Sequence, residues 1–99
     1  MRTAGKATVP EAVQEIRQRF LMGGFPVATV GGLPGNAVAE VLGLVVSRGF
    51  SSEETFYGML LRAEAKGAHG IIGYRESVVF HPDGSRFYTC YGTAVSIRS

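Results

Sequence analysis

The chain contains a single cysteine, Cys90, among its 99 residues. No intrachain disulfide can form, and a reducing compartment is expected. Charge is also scarce: Asp, Glu, Lys and Arg make up 18% of the chain, with ten basic residues against eight acidic ones for a net +2. The basic residues are scattered and no polybasic run exists, so the electrostatic footprint of a nucleic-acid or membrane-surface binder is missing. The opening stretch "MRTAGKATVPEAVQEIRQ" has no apolar core of the length a signal peptide needs, and the cytoplasm is the expected location. Long unbroken apolar runs are lacking too. Leu21 to Val46 carries only one charge, Glu40, but six glycines and two prolines interrupt it, which fits short buried strands joined by turns better than a membrane span. No internal repeat or low-complexity segment is present.

What the chain does have is apolar surface. Apolar residues make up 45% of it and mean hydropathy lies just above zero. A single domain of this size buries only somewhat over roughly 60% of its unfolded surface. Some apolar area is therefore expected to be covered by something other than the chain itself, and a subunit interface is the simplest cover.

The elements read as follows. Residues 1 to 7 form a tail. In "TVPEAVQEIRQRFLMGG", Thr8 and Glu11 have capping-box spacing, Pro10 falls in the first turn, and Val9, Val13, Ile16 and Phe20 make one apolar stripe ended by Gly23 and Gly24. "FPVATVGG" predicts a short first strand around Val27 to Val30, and "GLPGNA" a turn. "AVAEVLGLVVSR" is rich in Val and Leu and predicts a long second strand with a bulge at Gly43; a helix over the same residues stays open at this point. "SSEETFYGMLLRAEAKG" predicts a helix, with Ser51 and Glu54 as a capping box, Phe56, Met59, Leu60 and Ala63 on one face, and Gly67 just past its end. Gly58 costs such a helix about 1 kcal/mol against Ala, so a close contact there is expected to offset it. Ile71 to Phe80 and Phe87 to Ile97 then form an antiparallel hairpin around "HPDGS". On the last strand Cys90, Gly92 and Ala94 share a face of small residues, which predicts that Gly92 meets the helix near Gly58 or Ala63.

The candidate chemistry is sparse. His69, His81 and Cys90 are the soft or borderline ligands apart from the methionines. With Pro82 to Ser85 as the loop, His81 is expected opposite Arg86, with Cys90 about 13 Å further along the sheet and His69 roughly 35 Å away near the other end of its strand. One subunit cannot gather all three, so a metal site, if formed, would use His81 or Cys90 from neighbouring subunits. Any cofactor beyond such a divalent metal is unknown. No nucleophile elbow or phosphate loop occurs, and "GGLPGN" reads as turn residues. Glu40 and Glu76 are acids inside predicted strands, where a general acid or base in an intersubunit cleft is a third, weaker reading beside a solvated sheet edge.

The order "PVATVGGLPGNAVAEVLGLVVSRG", a helix ending "LRAEAKGAHGIIGYRESVVF", then "CYGTAVSI" resembles the YbjQ-like family, labelled as heavy-metal-binding. The resemblance spans about residues 26 to 97, with "LGLV", "GAHGIIG" and "GTAV" as its strongest pieces. It implies an α+β domain over residues 26 to 99, a β-β-α-β-β subunit with a mainly antiparallel sheet and one packed helix; the tail and extra N-terminal helix of residues 1 to 25 lie before the family core. It also implies a homo-oligomeric, pentameric ring in a bacterial or archaeal cytoplasm. Gly43, Gly67, Gly70, Gly73, Gly92 and Thr93 are its structural motif positions, whereas no ligand cluster accompanies the heavy-metal label. The expectation is a non-enzymatic scaffold or small-ligand binder, with a metal-binding protein as the alternative.

Overall fold

The structure is a computed structural model that describes residues 11–33 and 35–98. Its elements are α1 (Glu11–Leu21), β1 (Val38–Gly49), α2 (Ser52–Ala65), β2 (Gly70–Phe80) and β3 (Arg86–Ile97), so the class is α+β with the order α-β-α-β-β. Thr8 and Pro10, on which the expected start of α1 rested, lie outside the described residues. Among the described residues, no helix is long and apolar enough to cross a membrane.

The three strands form an antiparallel sheet in the order β1-β3-β2. Residues 38–49 are a strand, which closes the helical alternative, and the ladder to β3 slips between Val41 and Gly43, where a bulge was expected. The expected first strand at Val27 to Val30 is reduced to one parallel bridge, Val27 to Ile71, with backbone bonds such as Ala28 N–H to Ile71 O and Tyr74 N–H to Ala28 O. Glycines and prolines on both sides leave too few residues to extend this pairing.

The tip of the hairpin differs from expectation by one position. Phe80 rather than His81 faces Arg86. The His81 carbonyl accepts from Gly84 N–H at 2.9 Å and the Ser85 carbonyl from His81 N–H at 2.9 Å, so the loop proper is Pro82-Asp83-Gly84. This is the three-residue turn in which Pro takes the first central position and a left-handed glycine closes the bulge.

Helix α2 begins as its sequence dictates, with Ser51 Oγ accepting from Glu54 N–H. It ends in a Schellman motif, Ala68 N–H to Ala63 O and Gly67 N–H to Glu64 O, with Gly67 at φ 85°. Met59, Leu60 and Ala63 are fully buried against the sheet, joined by Ile71, Cys90 and Ala94, with Val45 nearly so. The apolar stripe of α1 packs on the other side of α2. Ile16 is buried there, and Phe20 meets the rings of Phe56 and Tyr57 edge-on. Arg19 pairs with Glu64 and Arg17 with Glu53, tying α1 to both ends of α2.

Gly92 is buried on the helix-facing side, but α2 is not what fills its space. A Cβ there would lie 2.6 Å from Ile71 Cγ2 and 3.2 Å from the Ile72 carbonyl, so neither Gly58 nor Ala63 is its nearest neighbour. The cause is a bulge in β2 between Ile72 and Arg75, with Gly73 at φ 64°, which folds β2 over β3 at that point. Gly73 thus supplies backbone freedom, with nothing within 4 Å of where a Cβ would sit, whereas Gly70 admits close neighbours, Pro26 and Leu33.

Candidate functional site

Two features remain once the core is accounted for. The first is a row of polar side chains across the helix-facing side of the sheet. Cys90 on β3 is paired with Ser47 on β1 and Glu76 on β2. Tyr74, two residues before Glu76 and on the same side, brings its hydroxyl within 3.4 Å of Cys90 Sγ. The thiol lies 3.9 Å from Glu76 Oε2, and Ser52 Oγ at the start of α2 donates to the same carboxylate oxygen at 3.4 Å. Cys90 and Ser47 are buried, whereas Glu76 is exposed at the outer end of the row. Nearby on α2, the buried Thr55 hydroxyl has no hydrogen-bond partner.

Burial pushes the Cys90 thiol up; the hydrogen bond with Tyr74 works against this, and the neighbouring Glu76 charge adds to it. Tyr74 is pushed well above the usual phenol range, first by burial, then by its bond to Cys90 and by charge on Cys90 and Glu76. Both groups are therefore neutral at ordinary pH. A protonated, inaccessible thiol is a poor nucleophile, so the arrangement does not suit covalent catalysis.

The residues expected to carry chemistry are dispersed. His81 stands exposed at the hairpin tip beside the rings of Phe50 and Phe87, at 6.1 and 6.2 Å between centroids, while Cys90 lies under α2. Nothing brings these two together within one subunit, and no group of three or more His, Cys, Asp or Glu side chains able to hold a metal occurs among the described residues. His69 has a structural contact: its Nδ1 accepts from Ile97 N–H at 3.1 Å, which joins the start of β2 to the end of β3. Glu40 is exposed on β1, and Thr93 is half-buried between Ile72 and Leu44. Tyr74, Ser47 and Ser52 were missed from sequence. Tyr74 and Glu76 share a strand face at a two-residue spacing, but their meeting with Cys90 depends on a hairpin register that the turn had to supply.

The second feature is the opposite side of the sheet. Register places Val41, Leu44, Val46 and Arg48 of β1, Phe87, Thr89, Tyr91, Thr93 and Val95 of β3, and Ile72, Arg75, Ser77 and Val79 of β2 on it, an apolar majority with two arginines among it. Leu33 and the Pro26 segment cover one corner near Gly70. The remainder is open: Val41 is 64% exposed, Leu44 62%, Val79 52% and Tyr91 37%, with Phe50, 67% exposed, packed on Phe87 at the margin.

No family model matches the chain, and no curated protein matches it. Among solved structures, it is similar to a crystal structure of a protein with unknown function from Pediococcus pentosaceus ATCC 25745, described as belonging to the DUF74 family. The identity is 22%, the TM-score 0.49, and the match covers 76% of this chain and 99% of the other. DUF74 is the YbjQ-like family. A likeness this slight carries no argument about function.

Proposed function

We propose that this protein is a non-enzymatic, homo-oligomeric domain of the YbjQ-like kind, a scaffold or small-ligand binder in the cytoplasm, whose open sheet face is buried against other copies of itself. The exposed row of Val41, Leu44, Val79 and Tyr91 carries this reading. A sheet side with this many large apolar residues in register is stable in water when another surface covers it. The motif order "LGLV", "GAHGIIG", "GTAV" supports a ring, and five subunits is the size the resemblance favours. Size-exclusion chromatography with light scattering tests the reading: a mass at a fixed multiple of the subunit is expected. A monomer at every concentration would sink it.

A second reading, a metal site, is favoured by the surroundings of Cys90. A thiolate at about 2.3 Å and an oxygen at about 2.0–2.2 Å from one tetrahedral zinc lie roughly 3.5 Å apart. The 3.9 Å separation of Cys90 Sγ from the Glu76 carboxylate is close to this. Because the thiol must lose a proton that burial favours, affinity would rise with pH. His81 is the ligand that neighbouring subunits could still reach. Calorimetric titration of zinc and copper into the wild type, Cys90→Ser and His81→Ala separates the cases. Equal weak binding by all three proteins would end this reading.

A further inference from the structure

The hairpin formed by β2 and β3 continues past the start of α2, where Ser52 meets Glu76, and its far end carries large apolar residues on both sides. On the open side lie Val79 and Phe87; on the helix side, beyond the helix, lie Val78, 36% exposed, and Phe80, 67% exposed. A strand pair with large apolar residues on both sides is suited to burial on both sides. Phe80 has one further property. Its cross-strand partner Arg86 holds its guanidinium carbon 5.4 Å from the ring centroid, so the tip presents an aromatic surface capped by a positive charge. Aromatic and arginine side chains of this kind are the residues that most often anchor protein interfaces.

A receptor of complementary chemistry is present on the same chain. Between α1 and α2 runs a groove of about 650 Å³. Its floor includes Tyr57, only 7% exposed, and its walls carry Glu11, Glu15, Glu53 and Glu54 against one cation, Arg17, which is already engaged with Glu53 at 3.4 Å. The volume lies within the usual range for binding clefts, and the acidic walls suit the cation Arg86, while Asp83 of the same tip has its carboxylate engaged by Ser85 N–H and Oγ. Phe80 stands exposed, so the tip does not fill the groove of its own chain, and among the described residues nothing else does.

We propose that the Phe80–Arg86 pair of one copy docks into the acidic groove between α1 and α2 of a second copy. Phe80 covers the Tyr57 floor and Arg86 meets the carboxylates of the walls. The inference rests on the homo-oligomer reading and adds the site of contact. It assigns α1 a role, since α1 supplies Glu11 and Glu15 and one wall of the receptor. Charged contacts of this kind weaken with salt, so association should weaken as ionic strength rises.

The test is a charge exchange read by sedimentation velocity on the full chain, with circular dichroism melts confirming that every variant is folded. Arg86→Glu and Phe80→Ala should each weaken self-association at least about tenfold, the loss of roughly one anchoring contact. Adding Glu15→Lys and Glu54→Lys to Arg86→Glu should restore association to near the wild-type level. A wild type that is monomeric throughout overturns the oligomer reading and this inference with it. An oligomer that persists unchanged in Arg86→Glu and Phe80→Ala overturns this inference alone. Weakening without restoration by the paired charge exchange overturns the groove as the receptor.

Discussion

Gly92 shows how tightly a single position can be constrained. With Ile71 Cγ2 2.6 Å and the Ile72 carbonyl 3.2 Å from where a Cβ would sit, neither neighbour is the free end of a flexible chain. Replacing Gly92 with Val should destabilise the subunit by about 1–3 kcal/mol, outweighing a strand-propensity gain of at most about 1 kcal/mol. Thermal melts at matched concentration check this; a midpoint at or above the parent's would contradict it. That Gly92 is tightly packed was legible from the small residues around it, but its neighbour was not, because the β2 bulge that places Ile71 there depends on tertiary register. Cys90 gives a second prediction. Its thiol is held above its ordinary value in the folded chain. Folding therefore favours the protonated form, and the resulting stability is present below the unfolded thiol value of about 8.5 and is lost as pH rises toward the folded one. The wild type should lose stability as pH rises above about 8.5, and Cys90→Ala should remove the first part of that loss. Identical pH profiles for both proteins would refute the assignment to Cys90.

At the level of elements, α2 and the hairpin were readable because their signals are local: Ser51 with Glu54 at one end of the helix, Gly67 at the other, and Pro82 with Gly84 in the turn. The segment at Val27 was overread, since β-branched residues between Pro and Gly pairs look like a strand whether or not a neighbour gives them length to pair. The partner of α1 was unreadable because an apolar stripe specifies that something covers it and not what. The close contact expected at Gly58 exists, and its partner is Ser47 on β1: a Cβ on Gly58 would lie 2.9 Å from Ser47 Oγ. Gly58→Ala alone should therefore gain little of the roughly 1 kcal/mol that alanine offers a helix. In a Ser47→Ala background the same change should recover most of that gain. A double-mutant cycle in denaturant measures this coupling, and additive effects would mean that the contact does not limit how closely α2 approaches β1.

For the whole molecule, the apolar share of a 99-residue chain led to the expectation of a covered face, and the proposed reading places that cover on the open side of the sheet. What covers it was beyond any single subunit's sequence, because complementarity is a property of two surfaces. The polar row of Ser47, Cys90 and Glu76 has hydrogen bonds to Tyr74 and Ser52 but a protonated, buried thiol at its centre, whereas the other side of the same sheet exposes Val41, Leu44, Val79 and Tyr91 beside Arg48 and Arg75. Assembly through the open sheet face turns on Leu44, 62% exposed in the middle of β1. A lysine there remains solvated in an isolated subunit but would bring an unpaired charge into a buried interface. The decisive measurement is the solution mass of the wild type and of Leu44→Lys by light scattering, with circular dichroism showing that both are folded. A fixed multiple of the 10.6 kDa subunit is expected for the wild type and the single-subunit mass for Leu44→Lys; a wild-type monomer, or an unchanged oligomer in the variant, would rule out assembly through this face.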